Sequence, residues 1–190
     1  MSTLEAPVEG VVGPNAIRQL RLPLKNRGGM DLINAMLDAA GLDEMPPPEG
    51  MIDQRVVARA HAALPRLVDD PEVVAREAGL RTADYIIANR IPRVAKLALR
   101  LMPRKRAKIS LARNIARHAW TFAGSGVFTV ASEEPLILQI AHNPLVGVNG
   151  CCWHVAVFTR LFQELADPDL TAREIACCTS GGRLCRFEIS

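Results

Sequence analysis

Cys151, Glu174, Cys177 and Cys185 follow one another as Cys-x22-Glu-x2-Cys-x7-Cys near the C-terminal end of the chain. Three thiols and a carboxylate are donors that a divalent ion accepts, and zinc takes four such ligands tetrahedrally. A site filled entirely by protein donors leaves no position for a reacting water, so the chemistry expected here is structural rather than catalytic. Three thiolates and a carboxylate around a divalent ion leave a net charge of about −2, which Arg173, Arg183 and Arg186 are placed in sequence to offset. Ordinary buried thiols remain the alternative, because free cysteine is among the most buried residue types. A redox pair has less support: Cys151-Cys152 and Cys177-Cys178 are adjacent pairs, and no C-x-x-C occurs.

The elements that must position these donors come late in the chain. Asn149 is a candidate N-cap for a helix that carries Cys151 in its first turn, where exposed N–H groups and the helix dipole favour a thiolate. The stripe Val155, Phe158, Phe162 and Leu165 continues that helix until Asp167-Pro168. Thr171 to Cys178 and Leu184 to Ile189 read as a hairpin around Ser180-Gly181-Gly182-Arg183, so Cys177 and Cys185 can face each other across adjacent strands. Glu174 and Cys177 are three apart and would point to opposite faces of a regular strand, so the strand must bend between them.

Upstream the pattern is helical. Helices are expected from Gly13-Pro14-Asn15 through Leu24, from Met30 to about Ala40, from Met51 to Leu67, from Glu72 to Asn89, after Pro92, and from Pro103 to about Phe122. Gly28-Gly29 and Gly41 supply the first two stops, and Pro46-Pro47-Pro48 is a stiff connector. Val127 to Val130 and Leu136 to Ile140 read as strands. The expected architecture is α+β, an antiparallel sheet with the N-terminal helices packed on it. Residues 1–10 are expected to form a flexible tail, and 11–190 a single domain with the metal-site region at 150–190.

At 190 residues, 49% hydrophobic and 23% charged, the chain suffices for one globular core without disulfide staples. The N-terminus lacks the basic and apolar regions of a signal peptide, no apolar run reaches a membrane span, and five cysteines fit a reducing compartment, so a cytoplasmic location is expected. The net charge is only +3, yet ten of 23 basic residues lie between Asp84 and Glu133, an interval without one acidic residue. Such a block is a footprint for an anionic partner. Nucleic acid is not the expected one, because aromatic residues are few and no DNA- or RNA-binding motif interleaves them.

Gly13-Pro14-Asn15-Ala16, the Gly150-Cys151 helix entry, Glu174-Ile175-Ala176-Cys177-Cys178 and Gly181-Gly182-Arg183-Leu184-Cys185-Arg186-Phe187 resemble the 4-vinyl reductase domain family. That domain also occurs in phenol-sensing bacterial transcription activators and shares a fold with TRAPP vesicle-tethering subunits. The spacing of Cys151, Glu174, Cys177 and Cys185 is similar to the zinc site of the phenol sensors at every interval. As a domain without an ATPase or DNA-binding module, the chain looks most like the stand-alone bacteriochlorophyll 4-vinyl reductases. The resemblance implies a place in bacteriochlorophyll biosynthesis and a magnesium tetrapyrrole as ligand.

Reduction of a vinyl group of divinyl protochlorophyllide is the activity implied by that family's name, and it needs a redox cofactor. No G-x-G-x-x-G follows a predicted strand, and the cysteines left over are too few for an iron–sulfur cluster. The expected function is therefore a tetrapyrrole-binding accessory or carrier protein, with no catalytic residues assigned. Arg113 and Arg117 lie one helical turn apart, followed by His118 and Trp120. They are the candidate ligand residues: arginine for a propionate, histidine for the central magnesium, and tryptophan for stacking beside a helix-lined apolar pocket. A solvated basic face is the plainer reading of the same arginines. His154 is read as a neighbour of the metal region rather than a ligand. The pathway further implies magnesium chelatase and the methyltransferase that follows it as partners, and a homodimer is a further expectation.

Overall fold

The computed structural model describes residues 10–147 and 150–190. The expected tail is outside these residues apart from Gly10, and Asn149 is outside them too. The elements run β1 (Val11–Val12), α1 (Asn15–Arg18), α2 (Arg21–Ala40), β2 (Ile52–Asp53), α3 (Gln54–Leu67), α4 (Pro71–Asn89), α5 (Arg93–Leu101), α6 (Arg104–Arg117), α7 (Trp120–Ala123), β3 (Val127–Glu133), β4 (Leu136–Ala141), α8 (Cys152–Leu165), β5 (Ala172–Ala176) and β6 (Leu184–Ile189), with a 3₁₀ turn at Cys178–Ser180. The fold is α+β, as the residue pattern predicts.

The Gly pair interrupts α2: Gly28 and Gly29 leave the helical region, and Gly29 takes φ 68°. Gly41 ends the helix in the left-handed conformation, φ 75°. Two expected helices are shorter than their apolar pattern. The one expected from Met51 begins at Gln54, because Ile52 and Asp53 pair with Val12 and Val11, and the Asp53 side chain caps the Arg55 N–H. The one expected to reach Phe122 stops at Arg117, because His118 moves to φ −112°, ψ 9°, and α7 starts afresh.

The four-stranded sheet is antiparallel in the order β3-β4-β6-β5. Alternation puts Leu136, Leu138 and Ile140 of β4 on one buried face, opposite Ile189, Phe187 and Cys185 of β6. α8 covers that face, with the Phe158 and Phe187 rings 5.2 Å apart, and α4 packs on the far side of α8. α4 and α8 approach closely at Gly79, where an added Cβ would lie 2.5 Å from the Trp153 carbonyl oxygen and 2.8 Å from Ala156 Cβ.

Candidate metal centre

β5 is the outer neighbour of β6. Glu174 stands opposite Phe187, but Ala176 stands opposite Arg186, so Ile175 is an extra residue bulged out of the ladder. In a regular strand Glu174 and Ala176 would share a face. The bulge shifts the alternation by one, which turns Ala176 outward with Arg186 and brings Cys177 to the face of Glu174 and Cys185. This is the bend that the Glu174-to-Cys177 spacing requires. Cys151 comes from the opposite direction as the residue that caps α8, with φ −98°, ψ 42°, rather than within its first turn. Its chain enters through Gly150, at φ 110°, where a Cβ would meet Glu174 Oε2 at 2.7 Å. Only glycine suits both the backbone and the space.

The sulfurs of Cys151, Cys177 and Cys185 all lie within 4.8 Å of one another. Cys151 Sγ is 3.8 Å from Cys177 Sγ, which is the edge of a tetrahedron whose metal–sulfur bonds are about 2.3 Å. Glu174 Oε2 accepts the Cys151 N–H at 3.0 Å. Its other oxygen, Oε1, is buried without a hydrogen-bond partner among the described residues. A buried carboxylate oxygen in that state is costly unless something ligates it. The three thiols therefore fit a metal ion; the carboxylate of Glu174, whose Oε1 is buried and unpartnered, is not among the ligand atoms that lie within 4.8 Å of one another.

The thiols also perturb one another. A hydrogen bond from Cys151 holds Cys185 down at about 5, and the same bond, with burial, pushes Cys151 up. Burial and then the Glu174 carboxylate push Cys177 up. Cys178 Sγ lies 3.2 Å from Cys185 Sγ, and burial first, then Cys185, push it up to about 11. Cys185 is thus the sulfur that most readily carries negative charge.

The arginines expected to neutralise the centre do not do so. Arg173 pairs with Glu188 at 2.7 Å, Arg186 donates to Gln139 Oε1 at 2.8 Å, and Arg183 is exposed. For Arg173 and Arg186 strand alternation is the reason, because a neighbour of an inward-facing residue points outward; Arg183 lies in the turn before β6. Hydrogen-bond donors take their place. Asn143 Nδ2 donates to Cys151 Sγ at 3.5 Å, Thr179 Oγ1 to Cys177 Sγ at 3.2 Å, and the Cys178 N–H to Cys185 Sγ at 3.5 Å. Asn143 and Thr179 lie outside the Cys-Glu-Cys-Cys pattern, and only their nearness to turns marked them.

His154 sits at 0% exposure among Trp153, Phe122, Phe158 and Phe187, with neither ring nitrogen hydrogen-bonded among the described residues. Arg113, Arg117, His118 and Trp120 all lie on the surface, around the end of α6 and the start of α7. Arg113 pairs with Glu133 at 2.7 Å, His118 Nδ1 bonds the Asn114 carbonyl at 3.0 Å, and Trp120 is 58% exposed. A cavity of about 30 Å³ beside Cys151 and Cys152, bordered by His61 and Trp153, has room for about one water. A cleft of about 360 Å³ lies among Arg104, Lys105, Lys108, Glu133, Glu134 and Asp167, charged with both signs. Neither is the apolar, helix-lined pocket expected for a macrocycle, and neither is lined by the four candidate ligand residues.

No family model matches the chain. By fold it is similar to an H-NOX protein from S. oneidensis crystallised in the Fe(II)NO ligation state, with a TM-score of 0.59 at 13% identity, covering 94% of this chain and 98% of that one. By sequence it is similar to two proteins named bacteriochlorophyll synthase 23 kDa chain. The one from Rhodobacter capsulatus is 40% identical over 183 residues, 93% of this chain and 85% of the relative. The one from Cereibacter sphaeroides is 43% identical over 191 residues, 94% of this chain and 89% of the relative, and the chain belongs to this bacteriochlorophyll synthase 23 kDa chain family.

Proposed function

We propose that the protein is an accessory or carrier protein of bacteriochlorophyll biosynthesis that binds a magnesium tetrapyrrole intermediate, with its C-terminal region held by one structural zinc ion. The observation that carries this reading is the kinship, over nearly the full length, with chains named for bacteriochlorophyll synthase. The centre supports a holding role. Cys151, Cys177 and Cys185 would supply three ligands, and Glu174, once its unpartnered Oε1 turned onto the ion, the fourth, which would leave no position for a reacting water. No catalytic residue is assigned.

The tetrapyrrole would lie on the surface shelf at the α6–α7 junction. Trp120 is a large apolar face held in water at 58% exposure, and stacking on a macrocycle would cover it. Arg117 makes no ion pair among the described residues and is the readier partner for a propionate; Arg113 would first have to leave Glu133. His118 Nε2 is the ring nitrogen free of the Asn114 carbonyl and the one that could ligate magnesium.

The test is titration of the purified protein with magnesium protoporphyrin and with divinyl protochlorophyllide, followed by absorbance and Trp fluorescence, then addition of NADPH. Saturable one-to-one binding that weakens in Trp120→Ala and Arg117→Glu, with no vinyl reduction, is expected. Absence of binding would overturn the carrier reading, and conversion to the ethyl product would replace it with the vinyl reductase.

A further inference from the structure

α5 is mounted the wrong way round for a helix of a globular core. Leu99 packs inward at 8% exposure, while Val94, Leu97 and Leu101, one and two turns apart on the opposite side, are 79%, 58% and 77% exposed. An amphipathic helix ordinarily buries its apolar stripe and shows its charges to water. Here the stripe is what water meets, and Met102, 40% exposed, extends it beyond the helix end.

The charges flank this stripe. Arg93 and Arg100 fall along one border on a helical projection, and Arg90 and Arg106 lie just before and after the segment. None of these four makes an ion pair among the described residues, whereas Arg104 is held by Asp167 and Asp169, and Lys105 by Glu134. No acidic residue occurs between Asp84 and Glu133 to offset them. A contiguous apolar ridge with an all-cationic border is complementary to a surface with an anionic outer layer over an apolar interior.

We propose that α5 is an interfacial anchor that docks this protein on an anionic lipid bilayer, with Val94, Leu97 and Leu101 immersed at the headgroup boundary and Arg93 and Arg100 on lipid phosphates. Among the described residues no helix is long and apolar enough to cross a membrane; a nine-residue amphipathic helix such as α5 would make a peripheral, reversible contact. It is independent of the tetrapyrrole shelf and of the metal centre, which use other residues.

The experiment is co-sedimentation of the full chain with vesicles of phosphatidylglycerol mixed into phosphatidylcholine, and with pure phosphatidylcholine, at low and high sodium chloride. Binding to the anionic vesicles alone is expected, weakened by salt. Each of Leu97→Ser and Leu101→Ser should weaken it roughly tenfold, and each of Arg93→Glu and Arg100→Glu roughly fivefold or more. All four side chains are exposed, and unchanged circular dichroism shows that each variant remains folded. Failure of the wild-type chain to sediment with anionic vesicles, or sedimentation of the Leu97→Ser/Leu101→Ser variant like wild type, overturns the proposal. So does a lipid-free dimer that this double variant dissociates in sedimentation velocity, which would assign the ridge to a second copy.

Discussion

Replacing Gly150 with alanine tests the metal centre without replacing any proposed ligand. At φ 110° an L-residue is strained, which costs on the order of 1–3 kcal/mol. The new methyl would lie 2.7 Å from Glu174 Oε2, closer than two such atoms can stand. That oxygen also accepts the Cys151 N–H, a bond to a charged group worth about 1.5–3 kcal/mol net. Driving the carboxylate away breaks this bond and keeps Oε1 from reaching a bound ion, so zinc affinity should fall by roughly 10–100-fold, as when a ligand's support is lost. The assay is zinc competition with a chromogenic chelator, paired with urea unfolding with and without excess chelator. Wild type should hold one zinc, Cys185→Ser should lose it, and Gly150→Ala should fall between. With chelator present, only the backbone strain and the lost N–H bond should remain, so the stability difference from wild type should shrink. Wild-type zinc affinity in Gly150→Ala would refute the placing of Glu174 in the coordination sphere.

Two further expectations concern the core. Gly79→Ala forces α4 away from α8, because its methyl meets the Trp153 carbonyl and Ala156; a loss of about 1–3 kcal/mol by urea unfolding is expected, and a neutral change would show that the helices separate freely. Burial, with a smaller contribution from His61, lowers His154 from its ordinary value to about 3, so the unfolded chain binds more protons between about pH 3 and 6.5. Stability from the neutral ring is fully present above about pH 6.5 and is lost as pH falls towards 3, on the order of 2–3 kcal/mol by about pH 4.5. His154→Phe should flatten the stability–pH curve across that window, leaving the slope that His61 contributes, because burial lowers it too, against the opposing hydrogen bond of the Ala16 carbonyl. An unchanged slope would mean that the ring is not the group that must be kept neutral.

That Cys151, Cys177 and Cys185 could converge was legible because each is a chemically distinctive residue at an interval that strands and a helix start can close. Even the irregularity of β5 was legible: Glu174 and Cys177 could share a face only by a slip of the pleat, and Ile175 is that slip. The same rule applied to Cys185 and Arg186 would have shown that Arg173 and Arg186 turn away. The supporting bonds were not legible, since Asn143 reaches Cys151 from the turn after β4, a contact set by tertiary packing. Glycine and cap chemistry located the breaks at Gly28-Gly29 and Gly41, but pairing of Ile52 with Val12, forty residues away, overrode a helical pattern. The periodicity of α5 fixed which residues share a stripe. It carried no information on whether that stripe faces the core or the water.

The bulge at Ile175 has a counterpart. The ladder between β3 and β4 also shifts, between Val130 and Ser132, and β3 and β5 are the two outer strands of the sheet. Both rims are therefore kinked, and neither presents the even row of N–H and carbonyl groups that a foreign strand needs to align. Growth of this sheet by edge-to-edge addition is disfavoured on both sides, whatever the state of the metal centre. Aggregation through an open β-edge is guarded against by the same kind of distortion that brings Cys177 to the face of Glu174 and Cys185.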